Sequence, residues 1–402
     1  MKLTLTILLT VMSMLAMAQA QFVSPIEGTY GEDFVLVNYV DWGAATSIKD
    51  NHCSSKSYNG HQGSDFVLKS FRQMDEGVNV LAADSGVVIF THDGEFDREK
   101  VSVISKGLGN YIGITHDGDL QTYYGHLKKN SILVDEGDTV YAGQVIAQVA
   151  SSGNSTDPHL HFELWYDSTF YIDPFQGSCG NFSSYWIDEM PYDSSFIVLN
   201  SSTWNGLPTL DTLREAPLLV DTFDTLDTYI TYWSLLHGLR AGDSISVEWL
   251  TPDNTLWFEN GYNLGIDWWY YYDWSYIDLQ DSMPYGEWTV NFYRNEVLEN
   301  SRNIYYLEPE VVIVDTIDST LAVKANYQAA KQPKIWQHQD LVLNDLSVEC
   351  HYDLYSMQGA IVKQGLTSSS QPVQLGSLSP GVYVLYIRNE EFGRLNRRVV
   401  VK

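Results

Sequence analysis

The chain has 402 residues, enough for two or three domains with sizeable cores. It carries 23 basic against 51 acidic residues, a formal net charge of −28. That balance argues against a nucleic-acid partner, which needs a basic face, and suits a chain kept soluble by self-repulsion.

The first twenty residues read as a secretory signal peptide. Lys2 gives a positive start, Leu3 to Met17 an apolar run, and Ala18-Gln19-Ala20 a small-x-small cleavage site. The apolar run is too short to serve well as a membrane anchor, and no later segment is long and apolar enough to span. The mature chain is therefore expected to be exported, without a transmembrane segment. Three cysteines follow, Cys53, Cys179 and Cys350. In an oxidising compartment one pair can close. Cys53 and Cys179 bracket the candidate site histidines, so they are the expected disulfide, and their wide spacing disfavours them as metal ligands.

From Val78 to Phe162 short β-runs are broken by glycine, as in "NVLAADSGVVIFTHDGE" and "GNYIGITHDGDLQTYYGHL". No long segment shows the 3.6-residue helical period. Residues 21–183 are expected to form a mostly antiparallel β domain. Residues 184–310, rich in Thr, Trp, Tyr and Asp, read as a β-sandwich. Residues 311–340 read as a linker, and 341–402 as a small C-terminal β-sandwich.

Candidate chemistry lies in the first β domain. "NGHQGSDF" places His61 and Asp65 four apart, a weak signal alone. In "DPHLHFELW" strand alternation puts His159, His161 and Glu163 on one face, with Leu160, Phe162 and Leu164 on the other. In "LQTYYGHL" the same alternation puts Thr122, Tyr124 and His126 together. A catalytic zinc takes three nitrogen or carboxylate ligands and leaves one position open. His61, Asp65 and one histidine of the 159/161 pair supply such a set. The two remaining histidines would stand beside the open position, fit to take a proton or stabilise an oxyanion. Glu163 is either a partner of that site or a strand-face charge. His52, His92, His116, His237, His338 and His351 have no partner motif and read as surface or turn residues.

The ordered motifs "HQGSD", "TYYGHL", "GDTVYAGQVIAQV" and "GNSTDPHLHFE" resemble the lysostaphin/LytM-type zinc metalloendopeptidases over about Pro25 to Pro174. The resemblance implies an antiparallel β-sheet peptidase domain and one zinc ion held by His61, Asp65 and His161. It makes His126 and His159 the catalytic histidines. It further implies cleavage of peptide bonds in peptidoglycan cross-bridges or other glycine-rich peptides. All five residues are present, whereas inactive relatives typically lose some. The chain departs from the family at Asp157, where glycine is frequent, and in the longer segments that carry Cys53 and Cys179. A non-catalytic cell-wall-binding or regulatory protein on the same scaffold is the alternative.

Two accessory features stand out. "GIDWWYYYDWSYID", Gly265 to Asp278, reads either as a stacking platform for glycan rings or an extended peptide, or as a sandwich core strand with loop aromatics. "YDLYSMQGAIVKQG", "LGSLSPGVYVLYIRN" and the terminal "RRVVVK" resemble the C-terminal sorting domains of type IX secretion substrates in Bacteroidetes. That resemblance implies the type IX machinery as a partner and a secreted or cell-surface location.

Overall fold

A computed structural model describes residues 21–308 apart from Leu226 and Asp281, and beyond them Leu378 and the strands between 311 and 401. The expected signal peptide, residues 1–20, lies outside the described residues. Among the described residues the chain is mostly β, in largely antiparallel sheets with two short α-helices, as the sequence leads one to expect. No helix among the described residues is long and apolar enough to cross a membrane. The chain divides into two compact units. The first draws on Met1–Phe223, Asp227–Leu279 and Glu287–Tyr305, and the second on Asp224–Leu226, Gln280–Gly286 and Tyr306–Lys402.

The first unit opens with β1 (Phe34–Asn38), β2 (Ser64–Leu68), α1 (Phe71–Glu76), β3 (Asn79–Leu81), β4 (Gly86–His92), β5 (Tyr111–Thr115), β6 (Leu120–Gly125), β7 (Thr139–Val140), β8 (Val145–Gln148), β9 (His159–Tyr166) and β10 (Phe170–Ile172). The main sheet runs β1-β2-β9-β6-β5-β4-β7, with β10 also on β9, while β3 and β8 form a separate ribbon. Ser70 caps α1, its Oγ accepting from Gln73 N at 3.1 Å.

Alternation along these strands sorts side chains into two layers. Leu36, Phe66, Ile112, Ile114, Tyr124, Leu160, Phe162 and Leu164 enter one hydrophobic core, closed by residues such as Phe22, Ile146 and Trp186. The opposite face of β9 carries His161 and Glu163, as expected.

The unit continues with β11 (Ile197–Trp204), α2 (Leu210–Arg214), β12 (Thr222–Phe223), β13 (Tyr229–His237), β14 (Ser244–Leu250), β15 (Leu256–Asn263), β16 (Tyr271–Asp278), β17 (Gly286–Arg294) and β18 (Val297–Tyr306). One sheet runs β11-β13-β16 and another β12-β18-β17-β14-β15. Trp249 Nε1 on β14 donates to Ser275 Oγ on β16 at 2.9 Å, tying the two sheets together. Val35, Val37 and Val67, on the same face of the main sheet as Asp65, pack with Trp233, Leu235, Trp269 and Tyr272 in a second hydrophobic cluster. The sheets on either side of residue 184 thus share apolar packing next to the candidate site.

In the second unit, Val311–Val314, Gly393–Val401, Gly381–Asn389, Cys350–Ser356 and Ile361–Thr367 form one sheet. Lys334–His338, Asp340–Asn344 and Val373–Gln374 form another. Val311–Val314 pairs in parallel with Gly393–Val401, so the stretch read as linker begins as a strand of this sheet. Cys350 is buried.

Candidate metal centre

Strand register brings the distant motifs together. β2 and β9 pair with Asp65 opposite His161, and β6 and β9 pair with Gly125 opposite His161. His61 lies in the turn just before β2. Gly63 lets this turn close on β9, because a Cβ there would fall 2.6 Å from the Phe162 carbonyl and 2.8 Å from His161 Nε2.

Three donor atoms converge. His161 Nδ1 is 2.9 Å from Asp65 Oδ1 and 3.2 Å from His61 Nε2, and His61 Nε2 is 3.1 Å from Asp65 Oδ1. Each is fixed from behind. His61 Nδ1 donates to the Tyr39 carbonyl at 2.8 Å, Asn38 Nδ2 donates to Asp65 Oδ2 at 2.8 Å, and His161 Nε2 donates to Glu163 Oε1 at 3.0 Å. These outer bonds leave the inner atoms as lone pairs in the neutral imidazoles. Two nitrogen lone pairs and a carboxylate oxygen within about 3 Å of one another repel unless a cation lies between them. Ligand bonds of about 2.0–2.1 Å in a tetrahedral zinc site place ligand atoms roughly 3.3 Å apart, close to the observed triangle. The donor set therefore fits zinc. Burial disfavours a charged His161, but Asp65 and Glu163 outweigh it and raise its pKa to about 10. Burial would likewise raise the Asp65 pKa, yet His61, His159 and His161 hold it well below the usual carboxylate range. Both shifts reflect carboxylates and imidazoles packed against one another at the centre of the site.

His126 and His159 stand beside this triangle, their ring centroids 4.5 Å apart. His126 Nδ1 donates to the Ser152 carbonyl at 2.7 Å, and His159 Nδ1 to the Asp157 carbonyl at 2.8 Å. His159 Nε2 reaches to 3.6 Å from Asp65 Oδ1. Burial lowers both pKa values, most strongly at His126, where His159 and His161 add repulsion. Both rings are thus neutral near pH 7, with Nε2 able to accept a proton. His126, His159 and His161 form a second, overlapping trio of possible donors, without a carboxylate.

Sequence alternation misplaced His126. Thr122 and Tyr124 do share a face, but it is the core face, and they hydrogen-bond to each other there. His126 lies one residue beyond β6 with φ of 63°, a left-handed backbone that turns its side chain out of the core and toward His159. His116 and His237 are also not surface residues. Both are buried, and His116 bonds Ser85 and Thr122. Asn38 and the Tyr39 carbonyl were not foreseen. Asn38 meets Asp65 only because β1 is irregular between Leu36 and Asn38.

Cys53 and Cys179 form the expected disulfide, and Cys179 N donates to the Asn51 carbonyl at 2.8 Å. Asp157, the departure from the family pattern, pairs with Arg214 at the end of α2, Nε to Oδ1 at 2.9 Å.

The sheet brings His61, Asp65 and His161 together as a donor set that could hold a metal ion. Residues 59–174, which include all five site residues, match the family described as Peptidase family M23, and the chain carries a domain of that family. Over 113 residues it is 34% identical to the peptidoglycan DD-endopeptidase ShyA of Vibrio cholerae, covering 28% of this chain and 22% of that protein. It is 37% identical over 109 residues to lysostaphin of Staphylococcus simulans, covering 27% and 18%. It is 37% identical over 104 residues to an uncharacterized metalloprotease of Haemophilus influenzae, covering 26% and 18%. The chain thus spans about a fifth of the length of these relatives. The crystallised catalytic domain of lysostaphin is 27% identical over 34% of this chain and 85% of that chain, with a TM-score of 0.23.

Proposed function

We propose that this protein is a secreted or cell-surface zinc endopeptidase that hydrolyses peptide bonds in peptidoglycan cross-bridges or in other glycine-rich peptides. The observation that carries this reading is the triangle of His61 Nε2, Asp65 Oδ1 and His161 Nδ1, each held inward by a separate hydrogen bond. These three residues would hold one zinc ion. When bound, the ion supplies Lewis acidity toward the scissile carbonyl and toward water. His126 and His159 do the remaining work. Each presents Nε2 to the site while its Nδ1 is fixed to a carbonyl. One accepts the proton released as water attacks. The other can donate a hydrogen bond to the developing oxyanion only after its own Nε2 has taken up a proton. Their low basicity keeps them unprotonated and ready at neutral pH.

The domain plan that goes with this reading is a signal peptide at 1–20, a peptidase domain at 21–183 and a β-sandwich at 184–310. A linker at 311–340 and a sorting domain at 341–402 complete it. The N-terminal signal and the terminal strand-rich motifs favour export through the type IX pathway. The disulfide fits an extracellular location.

The test is digestion of purified peptidoglycan and of glycine-rich peptides, with and without chelator, with mass spectrometry of the products and measured zinc content. Cleavage that chelator abolishes and zinc restores is expected. His161→Ala should lose both zinc and cleavage. A variant that kept one zinc per chain and full activity would overturn the ligand assignment.

A further inference from the structure

The aromatic stretch 265–278 is not used by the chemistry above, yet it lies beside it. A cavity of about 600 Å³ runs from Asp65 and His159 to Trp268, Tyr271 and Trp274. That volume lies within the usual range for small-ligand sites. The stretch divides its rings between two tasks. Trp269 and Tyr272 are buried in the cluster against Val35, Val37 and Val67, which anchors the segment to the main sheet. Tyr270 Oη donates to the Leu68 carbonyl at 2.8 Å and Trp269 Nε1 to the Ser55 carbonyl at 3.2 Å, fixing the anchor. Trp268 stays 39% exposed, and its ring meets that of Tyr271 at 5.3 Å. Elsewhere the cavity is lined by hydroxyl and amide side chains, among them Ser102, Asn154 and Thr156, and by the apolar Val37, Val67 and Leu210.

Charge narrows the choice of ligand. Of the charged groups lining this cavity, Arg214 and Asp157 neutralise each other, and Asp65 belongs to the metal centre. The aromatic end therefore offers ring faces and neutral hydrogen-bonding groups. Apolar C–H faces flanked by hydroxyls are what such a wall complements.

We propose that Trp268 and Tyr271 form a subsite for a neutral pyranose ring, so that the sugar of a peptide-bearing glycan is held on the sandwich while its peptide crosses the histidine cluster. This rests on the peptidase reading above. Trp268 and Tyr271 are specificity residues and touch no reacting atom.

The test uses the zinc-loaded full-length protein and two substrates: a cross-linked peptide alone, and the same peptide carrying its amino-sugar disaccharide. Trp268→Ala and Tyr271→Ala alter the exposed rim and leave the anchor rings in place. Each should raise KM for the sugar-bearing substrate by about tenfold, with kcat unchanged and with no effect on the bare peptide. Trp268→Phe, which keeps a ring, should restore KM to within about twofold of wild type. Independently of cleavage, an oligomer of N-acetylglucosamine should quench wild-type tryptophan fluorescence saturably, and Tyr271→Ala should weaken that binding. Equal KM increases on both substrates would make this a peptide subsite and overturn the proposal. So would unchanged KM on both, or quenching that does not saturate. If neither substrate is cut by wild type, the peptidase reading fails, and the sugar titration still decides the subsite.

Discussion

The main sheet has a covered edge and an open flank, and the two are built differently. On β1 and β2 both faces are apolar. Leu36, Phe66 and Leu68 enter the main core, while Val35, Val37 and Val67 meet the sandwich. On β4, Val88 is buried, but Val87, Ile89 and Phe90 on the other side are 37–42% exposed. A strand covered on both sides reads as a continuous apolar run, whereas a half-covered strand has one face in water. The candidate metal site lies beside the covered edge, because Asp65 and Val67 share a face of β2. The sandwich is thus one wall of the site's surroundings. Its Arg214 reaches Asp157, whose carbonyl holds His159.

The largest effect should come from the centre itself. Asp65→Ala removes the charge that three histidines surround and should abolish both zinc binding and peptide cleavage, read by metal analysis and product mass spectrometry. On the proposed reading zinc binds only the folded chain, so chelation should lower the melting temperature of the wild type, and in Asp65→Ala it should not. Next comes a direct test of the two halves. Val67→Asp puts an unpaired carboxylate into the covered edge and should cost about 3–5 kcal/mol in urea unfolding. Ile89→Asp on the open flank should stay within about 0.5 kcal/mol of wild type. Equal losses would mean that the covered edge is not sealed.

How far the sequence disclosed this arrangement differs between the same regions. β9 was legible in full, because "HLHFELWY" alternates strictly and its two faces meet the core and the site. Both His61 and Asp65 were legible as a motif, and their convergence with His161 follows from pairing register, which no local pattern prints. His126 was legible as a candidate and misplaced on its strand, because one residue with positive φ undoes alternation. The double-sided character of "FVLVN" and "SDFVL" was present in the sequence as unbroken apolar runs, yet their second cover comes from residues 199–272. The partner of Asp157 is 57 residues away at Arg214, and nothing in either local sequence couples them.

A smaller effect should follow from the support behind His161. Glu163→Gln keeps an acceptor but removes the charge that makes His161 a better ligand. Zinc affinity should fall about 10–100-fold, measured by competition with a chromogenic chelator. Glu163 also accepts from Trp165 Nε1 at 2.6 Å, so the side chain stays in place and the change is one of charge.

The smallest expected effect probes the seam between the site loop and the sandwich. Lys56 is fully buried there, its Nζ donating to the Asp193 carbonyl at 2.7 Å and lying 5.3–5.6 Å from the rings of Tyr39, Tyr192 and Trp269. Burial lowers its pKa from 10.5 to about 7, with Arg240 acting the same way and Asp193 and Asp50 opposing. Between those two values the folded chain binds fewer protons at this site than the unfolded chain does. Stability therefore rises with pH across that window, by about 1 kcal/mol per pH unit from this group. Urea unfolding at pH 7.5 and 8.5 should show that gain in wild type, and Lys56→Met should lose it while gaining stability at the lower pH. An equal gain in both proteins would place water around Lys56 and show the seam to be open, which would leave Tyr39, the carbonyl partner of His61, less firmly held than its hydrogen bonds imply.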